Sequence, residues 1–405
     1  MPDAIVHNQL DASRVRSIDA FRGLTFVAMI FVNELHGVGG MPAWMKHMPA
    51  DADAMSVPDV VFPAFLFIVG MSIPFALQAR LARGETTARW LGHTVSRALA
   101  LVVMGLFMVN AESGFDERAM PLPIAAWSLL FYAAMLLAWG TWPVSERVLL
   151  FLRGVGVLLM LWLASVYRGA GGQQAMAPQW WGILGLIGWA YLATSVLYVL
   201  ARGHIDRLLL VIAGCVAYYA VSHPQVAPEN SVERWLLSHD GHTSHTSIAL
   251  CGLVTALLFF DGALAASRAR RLAWAALFAV ALLISATALR PAFAISKIHA
   301  TPSWCFYSAA ICVVIFALLH VRIDRSDESP RAAPRWTRWV APAAESPLMT
   351  YLIPFVVEAL MTLFGWQWPE AVRNGLPGLL RSLVYAGAVV ALVALLNRLQ
   401  LRLRI

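Results

Sequence analysis

Histidine is the residue type best matched to proton transfer at neutral pH, because an unperturbed imidazole titrates at about 6.5, and His47 is one of eleven in the chain. It stands in the loop Trp44-Met45-Lys46-His47, ahead of Ser56-Val57-Pro58-Asp59. Ser56 and Asp59 have the spacing of a helix capping box, which alone would account for Asp59. A lone loop histidine is most often simply solvated. Upstream, Arg16-Ser17-Ile18-Asp19-Ala20-Phe21-Arg22-Gly23 puts Asp19 and Arg22 three residues apart, on one face of a helix. That pair reads either as an interfacial anchor or as a structural or ligand-binding pair facing inward. Asn33, Glu34 and His36 close the same apolar run. Further on, His239, His242 and His245 recur every third residue. On a helix that spacing permits a zinc or copper site, while in a loop it reads as a polar acceptor-binding surface. No metal is expected. Lys297 and His299 precede another apolar run. Lys297 is either a snorkelling cation or one that holds a carbonyl or phosphate.

What positions these groups is a membrane. The chain has 405 residues, 60% hydrophobic and 13% charged, against roughly 25% charged in a soluble domain. A bilayer-spanning helix needs about 20 apolar residues, and nearly the whole chain divides into such runs. Twelve are predicted: 20–40, 57–79, 90–111, 121–141, 147–167, 180–201, 206–222, 245–266, 271–289, 302–322, 347–366 and 376–397. The fold class is therefore all-α, a polytopic helix bundle forming a single domain over 1–405. Its motif-rich part is 14–111, and a charged, Pro-containing inner connector covers 324–338. With the N-terminus inside, twenty-two of the 30 Lys and Arg fall on the inner side and eight on the outer. This bias supports an even number of spans and cytoplasmic termini. The same bias explains the net charge of +7 without nucleic acid. The polar start, Met1 to Ser13, with Asp3 and Asp11, does not look like a cleaved signal. Cys215, Cys251, Cys305 and Cys312 lie in apolar runs and read as small core residues.

The stretch from Arg16 to Ile73 resembles the opening of the heparan-α-glucosaminide N-acetyltransferase family, including its bacterial NagX-like members. The matching pieces are Arg16 to Leu24, Phe31-Val32-Asn33, Lys46-His47, and Asp59-Val60-Val61-Phe62-Pro63-Ala64-Phe65-Leu66-Phe67-Ile68-Val69-Gly70. Weaker resemblance continues through Ser296-Lys297 and Ser346-Pro347-Leu348-Met349-Thr350-Tyr351. The chain departs from the family pattern in a slightly longer His47–Asp59 spacing and in Met48 to Asp53, where the family has a Trp-Asn-Gly-like stretch. It also departs at Gly182-Ile183-Leu184-Gly185-Leu186, which lacks a Gln-Arg pair.

The resemblance implies a multispan enzyme that moves acetyl from acetyl-CoA, a co-substrate, to the amino group of an amino sugar across the membrane. The acceptor is glucosamine or a glucosamine-ended glycan. His47 falls at the family's active histidine and Asn33 at its nearby asparagine. His47 then acts as a base or takes the acetyl group as an acyl-imidazole. Asp59 orients the ring, and Asn33 donates to the oxyanion. Asp19, Arg22, Lys297 and His245 are the expected substrate or CoA contacts. The expected setting is the inner membrane of a bacterium, among lipid, with a homodimer compatible with the reading. Two rivals stand beside it: an amino-sugar transporter, which needs no acetyl-CoA, and a glycan O-acetyltransferase.

Overall fold

A computed structural model describes residues 15–222, 239–262, 267–324 and 334–403. Thirteen α-helices cover most of them: α1 (Arg16–His36), α2 (Val57–Leu81), α3 (Thr87–Glu112), α4 (Ile124–Trp139), α5 (Glu146–Val166), α6 (Gly182–Leu200), α7 (Ile205–Ser222), α8 (Asp240–Phe260), α9 (Arg268–Leu289), α10 (Pro302–Ile323), α11 (Thr337–Glu345), α12 (Pro347–Leu363) and α13 (Gly375–Arg398). Every one of the twelve predicted runs is helical. Nine of these helices are long and apolar enough to cross a membrane, and the pair α11–α12, bent by 85°, is a broken span or a re-entrant loop. The remaining two runs have local causes. In α4 the helix is held to 16 residues, between Pro123, whose fixed φ suits a helix entry, and Gly140. In α1 the charges of Arg16, Asp19, Arg22 and Glu34 lower the apolarity. The chain is a multi-pass helical membrane protein.

Two boundaries differ from the sequence reading. Helix α8 starts at Asp240 rather than near 245. Its first turns, Gly241-His242-Thr243-Ser244-His245, are polar, so hydropathy cuts them off although their hydroxyls back-bond along the helix, as in Thr246 Oγ1 to the His242 carbonyl at 2.7 Å. His245 therefore lies in a helix and not in an outer loop. Of the connector expected over 324–338, residues 325–333 lie outside the described residues, and Thr337 already opens α11. The stretch 223–238 of the expected outer loop also lies outside them.

The described residues group into two compact units. The first comprises those within Met1–Thr25, Pro42–Ala98 and Leu186–Pro334. Here α2 packs along α8, α8 against α7 and α10, and α9 against α10. Gly70 of α2 faces the Ala249 backbone of α8, and Gly252 of α8 faces the Phe67 backbone of α2. No Cβ fits at either point. Small residues of this kind let membrane helices approach through van der Waals contact, where lipid gives no hydrophobic drive. Phe21, Phe67, Phe259 and Phe316 fill the space around this seam.

The second unit comprises Phe26–Met41, Leu99–Gly185 and the described residues from Arg335 on. Its core is α4 against α5 and α12, with α13 beside α11 and α12. Phe107, Trp127 and Phe131 stack, and the Trp127 indole donates to the Leu163 carbonyl at 2.9 Å. A two-residue antiparallel ladder, β1 (Gly140–Thr141) with β2 (Arg402–Leu403), ties the end of α4 to the chain beyond α13.

Candidate active site

Asp59 opens α2 as the third residue of a capping box with Ser56. Its Oδ2 accepts from the Ser56 amide at 3.0 Å, the Ser56 hydroxyl at 2.9 Å and the Met48 amide at 3.3 Å. Its Oδ1 lies 2.7 Å from His47 Nδ1. The Trp304 indole of α10 donates to the Asp59 carbonyl at 3.1 Å. Asp59 is 1% exposed. A carboxylate offers about four acceptor positions, and four donors converge here, three on Oδ2 and one on Oδ1. A carboxylate bonded in this way is an acceptor only, so the proton between Asp59 and His47 belongs to Nδ1. The lone pair then sits on Nε2, the tautomer that a histidine base or nucleophile requires.

The third member arrives from far along the chain. Lys297 Nζ lies 3.2 Å from His47 Nδ1 and 3.5 Å from Nε2, so its ammonium is set against the ring. Burial pulls the Lys297 pKa below the ordinary lysine value, and the Asp59 charge opposes that. His47 itself is 31% exposed at its side chain, which leaves the ring within reach of a ligand.

Two loops hold these groups in register. Asp53 takes Arg290 Nε on both carboxylate oxygens at 3.1 Å and the Ile295 amide at 2.8 Å. The Arg290 guanidinium also donates to the Asp53 carbonyl at 3.2 Å. The Arg290 hydrogen bond holds the Asp53 pKa below the usual carboxylate value. Asp53 thus fastens the loop carrying His47 to the loop carrying Lys297. The second loop is braced from within: Ser296 N donates to Thr301 Oγ1 at 3.0 Å, and His299 N to Ser296 Oγ at 3.2 Å. Nothing in the sequence pattern pointed to the Asp53–Arg290 clasp.

The other expected site residues fall elsewhere. Asp19 and Arg22 form an ion pair at 2.9 Å, and Arg22 also donates to Ser72 of α2 at 2.9 Å. Ser72 stands thirteen residues beyond Asp59, about 20 Å along the helix at about 1.5 Å per residue. The pair is therefore turned toward a neighbouring helix, and it is not brought to His47. His245 is buried, with its ring 5.3 Å from that of Phe62 and 6.3 Å from that of Trp304. It packs behind Asp59 as part of the wall. His239 and His242 have rings 5.9 Å apart. Among the described residues no group of three or more His, Cys, Asp or Glu side chains is arranged to hold a metal ion. Asn33 belongs to the second unit, exposed near the end of α1.

These features define a class: a multi-pass helical membrane protein in which a buried carboxylate orients a reachable histidine beside a lysine. Its family is the one described as a domain of unknown function, DUF5009, whose model matches residues 14–235, more than half of the chain, and the chain belongs to it. It is also similar to heparan-alpha-glucosaminide N-acetyltransferase of Mus musculus, 33% identical over 141 residues, which are 33% of this chain and 21% of the mouse protein. The Homo sapiens protein of the same name is 40% identical over 97 residues, 24% of this chain and 14% of the human one. The chain thus spans about a fifth or less of the length of these relatives. The relationship read from the Arg16–Ile73 motifs is borne out by these two matches.

Proposed function

We propose that this chain is a membrane acetyltransferase that moves acetyl from acetyl-CoA to the amino group of an amino sugar such as glucosamine. The observation that carries this reading is the Asp59–His47–Lys297 chain of contacts, supported by the activity for which the two partly matching relatives are named. His47 Nε2 takes a proton from the attacking amine as the nitrogen bonds to the thioester carbonyl. Alternatively, Nε2 itself bonds to that carbonyl and hands the acetyl on. In both routes the carbon–sulfur bond breaks and the thiolate leaves. Lys297 supplies positive charge beside the ring, where an oxyanion or thiolate develops, a kind of help worth several kcal/mol in a preorganised site. Asp59 keeps the ring in one tautomer and stabilises its positive charge when it forms. Asn33 remains the proposed oxyanion donor, carried by the resemblance alone.

The proposed setting is a bacterial inner membrane with both termini in the cytoplasm, the His47 loop and the acceptor on the periplasmic side, and basic inner loops toward CoA. Arg22 and Asp19 then belong to the cytoplasmic end, where a CoA contact is their proposed role. The test is to incubate the purified protein with labelled acetyl-CoA and a panel of amino sugars. Labelled N-acetyl product is expected. Transport without acetyl-CoA dependence would favour the transporter, and an ester-linked product the O-acetyltransferase. Cysteines placed in the His47 loop are expected to label from the periplasm, and labelling from the cytoplasm alone would reverse the orientation.

A further inference from the structure

Arginine supplies almost all the basic charge of this chain: of its 30 Lys and Arg residues only Lys46 and Lys297 are lysines. The distinction is chemical. A guanidinium stays charged, whereas a primary amine that loses its proton is a nucleophile and a target for acetylation. One of the two amines is held against the ring that handles acetyl. Lys297 Nζ lies 3.2 Å from His47 Nδ1 and 3.5 Å from Nε2. The backbone around it is tied down. Ala300 N donates to the Lys297 carbonyl at 3.1 Å and Thr301 N to the Ser296 carbonyl at 3.1 Å, closing a tight turn. The buried Tyr219 of α7 donates its hydroxyl to the His299 carbonyl at 3.0 Å, and the Asp53–Arg290 clasp fastens this turn to the His47 loop.

An acceptor amine must come to the same place. In direct transfer the attacking nitrogen gives its proton to Nε2, so it stands within hydrogen-bond reach of that atom. If the acetyl group first rests on Nε2, the attacking nitrogen must approach a carbon one bond away from it. Reacting atoms held about 3–3.5 Å apart are poised to combine. Lys297 Nζ, 3.5 Å from Nε2, stands at that approach in either route. Burial also pulls the Lys297 pKa below the ordinary lysine value, against the opposing charge of Asp59, which brings the neutral amine within easier reach.

We propose that Lys297 is a self-acetylation site: with acetyl-CoA bound and no acceptor amine at hand, its Nζ takes the acetyl group and the enzyme switches itself off. The neutral amine forms the nitrogen–carbon bond to the acetyl carbonyl. The carbon–sulfur bond breaks, or the carbon–Nε2 bond where the acetyl group has already passed to His47. The proton displaced from Nζ passes through Nε2 to the departing thiolate or to water. The net exchange is thioester for amide and needs no further reactant. The amide carries no charge, so the cation beside the His47 ring is lost, and unlike an acyl-imidazole it is stable in water. The proposal rests on the acetyltransferase reading and adds a control to the same site.

The purified full chain in detergent is incubated with acetyl-CoA and no acceptor. It is then treated with hydroxylamine, which strips an acyl-imidazole but leaves an amide, and mapped by peptide mass spectrometry. One acetyl group at Lys297 with Lys46 unmodified is expected, and residual activity on glucosamine should fall in step with it. His47→Ala should slow the modification by at least about 10²-fold. Lys297→Arg, which keeps a cation without a primary amine, should hold whatever activity it has through the same incubation. Glucosamine added with the acetyl-CoA should slow the modification of wild type, and this arm serves if a variant does not fold. Equal acetylation of Lys46 and Lys297, an unchanged rate at Lys297 in His47→Ala, or no slowing by glucosamine that is itself being acetylated overturns the proposal. If glucosamine is acetylated while Lys297 stays unmodified in its absence, the proposal falls and the acetyltransferase reading stands. If Lys297 is acetylated through His47 and no amino sugar is, the self-acetylation site stands and the amino-sugar reading falls.

Discussion

The two charged clusters of this protein are built on opposite principles. Around Asp59 four named donors converge on one carboxylate: two from Ser56, one from Met48, one from His47. At the Glu34–Arg381 pair of the second unit a single contact of 3.5 Å joins the two side chains, and the Arg381 Nε–H is left without an acceptor among the described residues. A saturated carboxylate fixes geometry, because moving any partner breaks a bond. The first arrangement suits a proton-handling side chain that must be pre-oriented, and the second is a looser tie between α1 and α13.

The largest effect that would break this comparison is at His47. His47→Ala is expected to lower acetyl transfer by at least about 10²–10⁴, the range for loss of a general base, with the melting temperature and acetyl-CoA affinity nearly unchanged. An activity loss that merely tracks the amount of folded protein would make His47 a packing residue. Mixing labelled acetyl-CoA with wild type in the absence of acceptor separates the routes, since only an acyl-imidazole leaves a label that hydroxylamine strips.

Asp59→Asn comes next. The amide keeps the shape of the carboxylate but carries one donor group, so it cannot accept from all four partners at once. It either gives up a capping bond or presents NH2 to His47 and forces the lone pair onto Nδ1. Turnover is expected to fall by about 10²-fold, with about 0.5–2 kcal/mol of stability lost through the weakened cap. Full activity with only the stability loss would reduce Asp59 to a cap and erase the contrast with the Glu34–Arg381 pair.

Lys297 sharpens the comparison through pH. Its ammonium is lost as pH rises through a value set below the ordinary lysine figure of about 10.4, because burial disfavours the charged form. The rate is therefore expected to fall on the alkaline side, earlier than a free lysine would dictate. Lys297→Arg should push that limb to higher pH, and Lys297→Met should remove about 10–10²-fold of turnover at all pH values below it. An alkaline limb that stays put in Lys297→Arg would assign it to another group.

Much of the first cluster was legible because it is local or motif-borne. The Ser56–Asp59 box and the Lys46-His47 pair sit within one short stretch, and the twelve apolar runs needed only composition and length. Lys297 was legible as a cation near a span but not as a partner of His47, since 250 residues separate them and one sequence carries no contact information. The second cluster was not legible at all. Glu34 was seen as a polar end of α1. Arg381 sits alone in apolar surroundings on another helix, and only tertiary packing brings it to Glu34. The placement of His245 was illegible for the converse reason: its spacing with His239 and His242 suited a loop, but a helix that begins at Asp240 buries it.

The smallest expected effect concerns Asp53, which touches no reacting group in the proposed chemistry. Its carboxylate, shared between Arg290 and the Ile295 amide, holds the two loops whose tips meet at His47 and Lys297. Asp53→Asn should leave the fold intact, since the ion pair is exposed and such pairs add little to stability. Turnover should drop a few-fold, because loosening a loop moves Lys297 away from the ring without removing it, and small misplacements of positioned groups cost rate. The pH dependence gives the sign. The folded-state pKa of Asp53 is depressed, so the clasp is complete above the unfolded carboxylate value of about 3.9 and is lost as pH falls through the depressed one. Hydrogen exchange at Ile295 reads this directly. In wild type the amide should be protected at neutral pH and lose protection only in strong acid, whereas in Asp53→Asn protection should be reduced at every pH. Equal protection in the two proteins would show that Ser296 and Thr301 alone hold the Lys297 loop, and that the His47 loop is positioned by Asp59 and not by Asp53.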